Sequence, residues 1–313
     1  MGPELLQNLI SCIQVYHPGE TISGAVKFSL TEPKSYECIK INFFGSAHVE
    51  WKSGKTRYVG NEKYVDNSLL LWSPRQSSTG SIGPGSFSFR FQFVIPPHVP
   101  SSFNYHNPST FFSYGRRAYV SYGLEAYAIT EAFRFDHKTS APIFIMRLMS
   151  ISDGNRATPV RLVKRKEVGC LCCAAGNVEF VAKLPHTGFC VTNRDVIPLT
   201  VDVENNSTRA IQMRARIMKQ MSLFIRGHKD VSREIMAEIT SEAVQPRSSY
   251  MWNPTNWIVP ALTPTFLGSR ILHVEYILEV AAIIPNALNL RGNISLFMGN
   301  LPFENSGNLE DQC

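Results

Sequence analysis

The sequence predicts an all-β protein built as two tandem antiparallel β-sandwiches. Three observations carry that prediction: long apolar/polar alternation in both halves, the near absence of helical periodicity, and a polar stretch in the middle of the chain flanked by two related motifs. A chain of 313 residues exceeds what a single hydrophobic core usually spans, so two cores are expected.

The alternation is longest where Ile39, Ile41, Phe43, Gly45, Ala47, Val49 and Trp51 occupy every second position against Lys40, Asn42, Ser46, His48, Glu50 and Lys52. Such a pattern sets one face on a core and the other in water, as a strand does. Phe44 alone interrupts it. Upstream, the turn His17-Pro18-Gly19-Glu20 leads into Val26, Phe28 and Leu30. Phe87, Phe89, Phe91, Phe93 and Ile95 form another buried face, ended by Pro96-Pro97 because proline cannot donate to a ladder. Val120, Tyr122, Leu124, Ala126 and Ala128 form the next.

The second half repeats the pattern in Ile197, Leu199, Val201 and Val203, then in Ile211, Met213, Ala215 and Ile217, and finally in Leu272, Val274, Tyr276, Leu278 and Val280. No helix longer than about three turns is expected. Between the halves, residues 150–169 are polar and basic and carry Asp153-Gly154-Asn155, Thr158-Pro159 and Lys164-Arg165-Lys166, which reads as a linker. The expected division is 1–149 for the first sandwich, 150–169 for the linker, 170–303 for the second sandwich and 304–313 for a short tail. Ile95 to Phe103 and Val259 to Phe266 share the spacing of their prolines and phenylalanine, which supports two sandwiches of one plan rather than one barrel.

A composition of 44% hydrophobic and 18% charged residues describes a folded, globular chain. The net charge of +6 is modest and its Lys and Arg residues are scattered, which favours acidic surfaces or anionic lipid without indicating nucleic acid. The N-terminus lacks the pattern of a secretory signal, and Pro3 and Leu6 depart from an acylation motif. Ile277 to Ile284 is too short and too interrupted to span a bilayer. Seven irregularly spaced cysteines fit a reducing compartment, so the expected location is the cytoplasm, and the Asn-x-Ser/Thr sequons carry no expected function.

Candidate chemistry is sparse. Cys170, Cys172 and Cys173 form the only tight thiol cluster; a zinc site would need further ligands such as His186 and Cys190, and the plain reading is a linker-to-strand junction. Reversible palmitoylation is the functional alternative, because the cluster follows the basic run Lys164, Arg165 and Lys166, which would lie against anionic lipid. Arg214, Arg216, Lys219, Arg226 and Lys229 form a basic group in which Arg214 and Arg216 share a strand face, a candidate contact for phosphorylated tails or phosphoinositides, against the plainer reading of a solvated face. There is no Gly-x-Ser-x-Gly elbow and no phosphate-binding glycine loop, and the eight histidines are dispersed, so neither catalytic residues, a metal nor a cofactor is expected.

Several motifs, weak singly, are specific in their order: Tyr16-His17-Pro18-Gly19-Glu20, Phe44-Gly45-Ser46-Ala47-His48-Val49-Glu50-Trp51, Pro100-Ser101-Ser102-Phe103, Gly188-Phe189-Cys190, Val203-Glu204-Asn205-Asn206-Ser207, and Leu267-Gly268 with Ile271-Leu272-His273-Val274-Glu275-Tyr276. In these the chain resembles the α-arrestin family, arrestin domain-containing proteins, over nearly its whole length. The resemblance implies two immunoglobulin-like β-sandwiches of the arrestin fold and a non-enzymatic cytoplasmic adaptor for the tails of membrane-protein cargo in trafficking, endocytosis or turnover, with peripheral association to plasma membrane or endosomes. A constitutive trafficking-coat subunit of related fold is the alternative, and a hydrolase on a β-sandwich is a rival from another class. The Pro-Pro-x-Tyr motif through which family members recruit ubiquitin ligases is absent from this sequence, whose only Pro-Pro pair is Pro96-Pro97-His98-Val99. The thioredoxin-binding branch carries a cysteine three residues before the tryptophan matching Trp252, where this chain has Ser249. Asn193-Arg194-Asp195 replaces the glycine and acid that follow the Phe-Cys pair in many members.

Overall fold

A computed structural model describes residues 15–76, 81–107, 115–130, 135–152, 154–169 and 176–302. Strands dominate: β1 (Val15–Tyr16), β2 (Thr21–Leu30), β3 (Cys38–Ser53), β4 (Thr56–Trp72), β5 (Gly85–Val94), β6 (Phe103–Asn107), β7 (Arg116–Ile129) and β8 (Phe135–Ile145), then β9 (Val160–Glu167), β10 (Asn177–Leu184), β11 (Gly188–Cys190), β12 (Thr200–Asn205), β13 (Ile211–Ile225), β14 (His228–Val244), β15 (Ser248–Trp252), β16 (Leu272–Ile283) and β17 (Leu290–Gly299). Among the described residues only Pro74–Gln76 and Gly154–Ala157 are helical, each a single 3-10 turn.

The chain divides into two units. Unit 1 comprises Met1–Arg147 together with two excursions from the second half, Leu223–Asp230 and Gly268–Leu272, and unit 2 the remainder. Unit 1 pairs a six-stranded sheet, in the order β1-β8-β7-β3-β4 with β6 added to β7, with the two-stranded sheet β2-β5. The predicted alternation is what closes its core. Ile39, Ile41, Phe43, Ala47, Val49 and Trp51 on β3 are buried with Val120, Leu124, Ala126 and Ala128 on β7, while Phe91 and Phe93 of β5 come from the facing sheet. Phe43 and Phe93 bring their ring centroids to 5.8 Å across that interface.

The break in the alternation at Phe44 has a physical cause. Phe44 pairs across β3 and β7 with Gly123, and Gly45 pairs with Tyr122. On the outer face the Phe44 ring lies over Gly123, where a Cβ would come within 2.7 Å of it; on the inner face the Tyr122 ring occupies the space a Cβ on Gly45 would take. Each aromatic ring covers the glycine of the opposite strand, one pair on each side of the sheet. A register shift on β4 falls at the same place, between Gly45 and Ser46.

Unit 2 has a four-stranded sheet, β15-β12-β10-β9, and a five-stranded sheet, β11-β17-β16-β13-β14. Its core alternates as expected: Val178, Phe180, Ala182 and Leu184 with Val201 and Val203 from one sheet, Met213, Ala215 and Ile217 with Val274, Tyr276, Leu278 and Val280 from the other. The motif Val203-Glu204-Asn205-Asn206-Ser207 closes a turn internally. The fully buried Asn205 side chain donates to Arg209 O, Val244 O and Gln245 O and accepts from Ser207 N and Oγ.

The repeated Pro/Phe motif does the same work in both units. In unit 1, Ser102 N donates to Ile145 O at 2.7 Å and Ile145 N donates to Ser102 Oγ, while Tyr122 Oη donates to Pro100 O at 2.8 Å. In unit 2, Thr265 N donates to Met298 O at 2.7 Å and Met298 N donates to Thr265 Oγ1, while Tyr276 Oη donates to Thr263 O at 2.7 Å. The hydroxyl residue satisfies one strand, and a carbonyl two positions earlier takes a buried tyrosine. Burial pushes both phenols above the ordinary range, so each remains a donor.

Residues 150–169, whose composition reads as a linker, form part of unit 2. They hold the 3-10 turn Gly154–Ala157 and the whole of β9, which pairs with β10 from Val160↔Leu184 to Asn177↔Glu167. The basic composition belongs to an edge strand in which alternate residues are only half-buried, so the apolar signal that marks a strand is weak.

Candidate functional site

A concentration of exposed cations lies at one end of unit 1, where three segments distant in sequence meet. The β3–β4 hairpin brings Lys52, Lys55 and Arg57 to its tip, and β7 starts beside it with Arg116 opposite Trp51 and Arg117 opposite Glu50. The excursion Leu223–Asp230 adds Arg226, His228 and Lys229. A stack of rings joins these pieces: Trp51 and Tyr58 lie 5.1 Å apart and nearly parallel, and Tyr58 meets His228 at 4.9 Å. Arg116 closes the join with an ion pair to Asp230 at 2.6 Å.

Two carboxylates answer this rim of cations. Glu50 takes Arg57 on both oxygens, at 2.6 and 2.9 Å, and those charge-assisted bonds hold its pKa below the usual carboxylate value. Asp230 takes Arg116. Lys52, Lys55, Arg117, Arg226 and Lys229 are exposed, and among the described residues none has a carboxylate within ion-pair distance. Arg117 lies over the Tyr119 ring at 5.2 Å, and Tyr119 stacks on His48 at 5.0 Å. Arginine forks and lysine ammoniums on an aromatic floor suit a phosphate or carboxylate ligand of extended shape.

The arrestin (or S-antigen) N-terminal domain matches residues 11–152 of this chain, and the C-terminal domain matches residues 174–303. The chain is 25% identical over 306 residues to arrestin domain-containing protein 4 of Homo sapiens, covering 93% of this chain and 70% of that protein. To arrestin domain-containing protein 1 of Rattus norvegicus it is 28% identical over 296 residues, covering 92% and 62%.

The chain belongs to the α-arrestin family.

In this α-arrestin Arg226 and Lys229 of the basic group read from sequence reach the rim, whereas Lys164, Arg165, Lys166, Arg214, Arg216 and Lys219 fall in unit 2. Strand alternation splits the run at 164–166: Arg165 is on the outer face with Glu179 at 3.9 Å, and Lys164 and Lys166 are half-buried on the other. The Lys164 stem runs over Gly292, and Lys166 Nζ donates to Leu288 O at 2.5 Å. Cys170, Cys172 and Cys173 lie outside the described residues. Among those described, no three His, Cys, Asp or Glu side chains are placed to hold a metal ion, and no helix is long and apolar enough to cross a membrane.

Arg214 and Arg216 do share a face of β13, and that face also carries their partners. Glu279, only 8% exposed, has Arg214 at 3.5 Å, Arg216 at 3.9 Å and Arg291 at 3.6 Å, and Arg216 also pairs with Glu238. The arginines are thus tied to the sheet itself. Glu279→Gln leaves three guanidiniums around a neutral amide, and we expect a loss of about 2–3 kcal/mol, read as a lowered denaturant midpoint.

Sequence reasoning reached Arg226 and Lys229 of this α-arrestin but missed Lys52, Lys55 and Arg117, because the members of the rim are spread over residues 52–57, 116–117 and 226–229 and form no single run. The available signal was local: Lys52-Ser53-Gly54-Lys55 is a hairpin turn, with Gly54 at φ +60°, and Arg226-Gly227 is another, with φ +47° and +85°. Basic residues at hairpin tips are exposed, and tips of separate hairpins meet only in the fold.

Proposed function

We propose that this α-arrestin is a non-enzymatic cytoplasmic adaptor that binds acidic or phosphorylated cytoplasmic tails of membrane proteins through the cationic rim of unit 1, in trafficking, endocytosis or turnover. The observation that carries the reading is the set of five exposed cations, Lys52, Lys55, Arg117, Arg226 and Lys229, which have no carboxylate partner among the described residues and stand beside an aromatic floor. A tail with several acidic or phosphorylated residues would displace counterions there and gain charge-assisted bonds from the arginine forks.

A second contact, with anionic lipid, is favoured at the turn that precedes β17. Leu288 there is 83% exposed, its carbonyl takes Lys166, and the Arg209 guanidinium donates to Pro285 O and Asn286 O alongside. An exposed leucine flanked by cations suits peripheral association with a membrane surface, with Cys170, Cys172 and Cys173 as the lipidation candidates.

Affinity capture of the full chain from cells tests the reading. We expect transmembrane proteins and endosomal sorting factors to be recovered and to be lost with rim substitutions. Stable co-purification with one fixed complex would favour a constitutive coat subunit, and recovery of soluble metabolic proteins alone would sink the adaptor reading.

A further inference from the structure

Glu62 of β4 is among the few buried carboxylates of the described residues, and its side chain is 8% exposed. Four donors converge on it. Ser269 Oγ, Arg270 N and Arg270 Nε each donate at 2.8 Å, and Tyr64 Oη donates at 3.1 Å. Burial alone would raise its pKa, but the Arg270, Ser269 and Tyr64 bonds outweigh that and hold it below the ordinary carboxylate value. Three of the four donors belong to Gly268–Leu272, one of the two excursions of the chain into unit 1.

That segment leads directly to the rim. Ser269 Oγ accepts from Ile271 N at 3.2 Å, and Ile271 O accepts from Phe224 N at 2.9 Å. Phe224 lies in the excursion that carries Arg226, His228 and Lys229, and Lys229 Nζ lies over its ring at 5.3 Å. The fit is close on both sides. A Cβ on Gly60 would come within 2.9 Å of Ile225, and one on Gly268 within 2.9 Å of Pro100. Gly60 is two positions before Glu62 on β4, so one stretch of that strand grips both excursions.

We propose that Glu62 is the positioning residue of the cationic rim: through Ser269 and Arg270 it fixes Gly268–Leu272, which in turn fixes Leu223–Asp230 and sets Arg226, His228 and Lys229 beside the β3–β4 hairpin. This inference rests on the reading of the rim as a binding site for acidic tails. Glu62 touches no ligand; its effect on binding passes through the two bound segments. A rim assembled from two hairpins binds well only when both are held in one arrangement, because otherwise ligand binding must first order the loose one.

The test uses the full chain, with Glu62→Gln, the milder Ser269→Ala, and Glu125→Gln as a control. Glu125 is also a hydrogen-bonded carboxylate, held by Tyr127 and Lys138 on the outer face of the same sheet, with no link to either excursion. Hydrogen exchange is followed in peptides covering 223–230 and 268–272, and binding of a multiply phosphorylated acidic peptide is followed by fluorescence anisotropy. In Glu62→Gln we expect exchange in both peptides to quicken by about tenfold or more, the rest of unit 1 to be unchanged, and affinity to fall about tenfold, with Ser269→Ala intermediate and Glu125→Gln like the wild type. Unchanged exchange in Glu62→Gln, or faster exchange with full affinity, overturns the proposal. Failure of the wild type to bind any acidic peptide overturns the rim reading instead, and the exchange data then decide whether Glu62 holds the two segments.

Discussion

Replacing Gly45 with valine destabilises unit 1 by about 3 kcal/mol or more, at the top of the range for overpacking a closed core. A Cβ at this position falls inside the space of the Tyr122 ring. The ring has little freedom to move, because Tyr122 Oη is bound to Pro100 O and Tyr122 is 3% exposed. The backbone has as little, since β3 is paired on both edges, with β4 and β7. The loss appears as a lowered denaturant midpoint and, for a domain near marginal stability, as insoluble protein on expression. Gly54→Ala is the matched comparison: nothing lies within 4 Å of its added Cβ, and its φ of +60° is the sole obstacle, so it costs about 1 kcal/mol. If Gly45→Val were no worse than Gly54→Ala, the Tyr122–Gly45 packing would be wrong.

Simultaneous Lys55→Glu, Arg117→Glu and Lys229→Glu substitutions lower affinity for a multiply phosphorylated acidic peptide by roughly a hundredfold or more at low salt, because each reversal turns an attraction into a repulsion of similar size. The three positions come from the three segments of the rim, all are exposed, and none is in an ion pair among the described residues, so the fold should tolerate the change. Added salt narrows the difference, since screening acts over about 10 Å at 0.1 M ionic strength. Reversing Lys164 and Lys166 instead leaves peptide affinity within about twofold, because neither belongs to the rim that takes the peptide. Equal affinity of the triple variant and the wild type would show that acidic peptides do not use the rim, whereas a loss confined to phosphatidylserine vesicles in the Lys164/Lys166 variant would place lipid contact in unit 2.

These expectations depend unequally on sequence and on structure. Period-two alternation determined the fold class by itself, since residues two apart on a strand always share a face and burial then follows from hydrophobicity alone. The same logic placed Ile39 to Trp51 and Leu272 to Val280 in their cores, and the Pro/Phe repeat indicated two units of one plan, whereas the hydroxyl and tyrosine bonds that close each copy came only from the structure. β9 escaped because an edge strand needs only half an apolar face, so Lys164 and Lys166 can stand where a central strand would require valine.

Charge behaved in the opposite way. Arg214 and Arg216 looked free because Glu279 is 65 and 63 residues away in the chain, and a partner at that separation exists only once β13 and β16 lie in one sheet. For the same reason Lys55, Arg117 and Lys229 looked unrelated, and Glu62 looked like one more strand carboxylate until Ser269 and Arg270 closed on it. Hydrophobic pattern is local and periodic, so the sequence alone determined two β-sandwiches. Electrostatic partnership depends on distance in space, so only the tertiary structure decided which cations are neutralised and which remain to meet a partner.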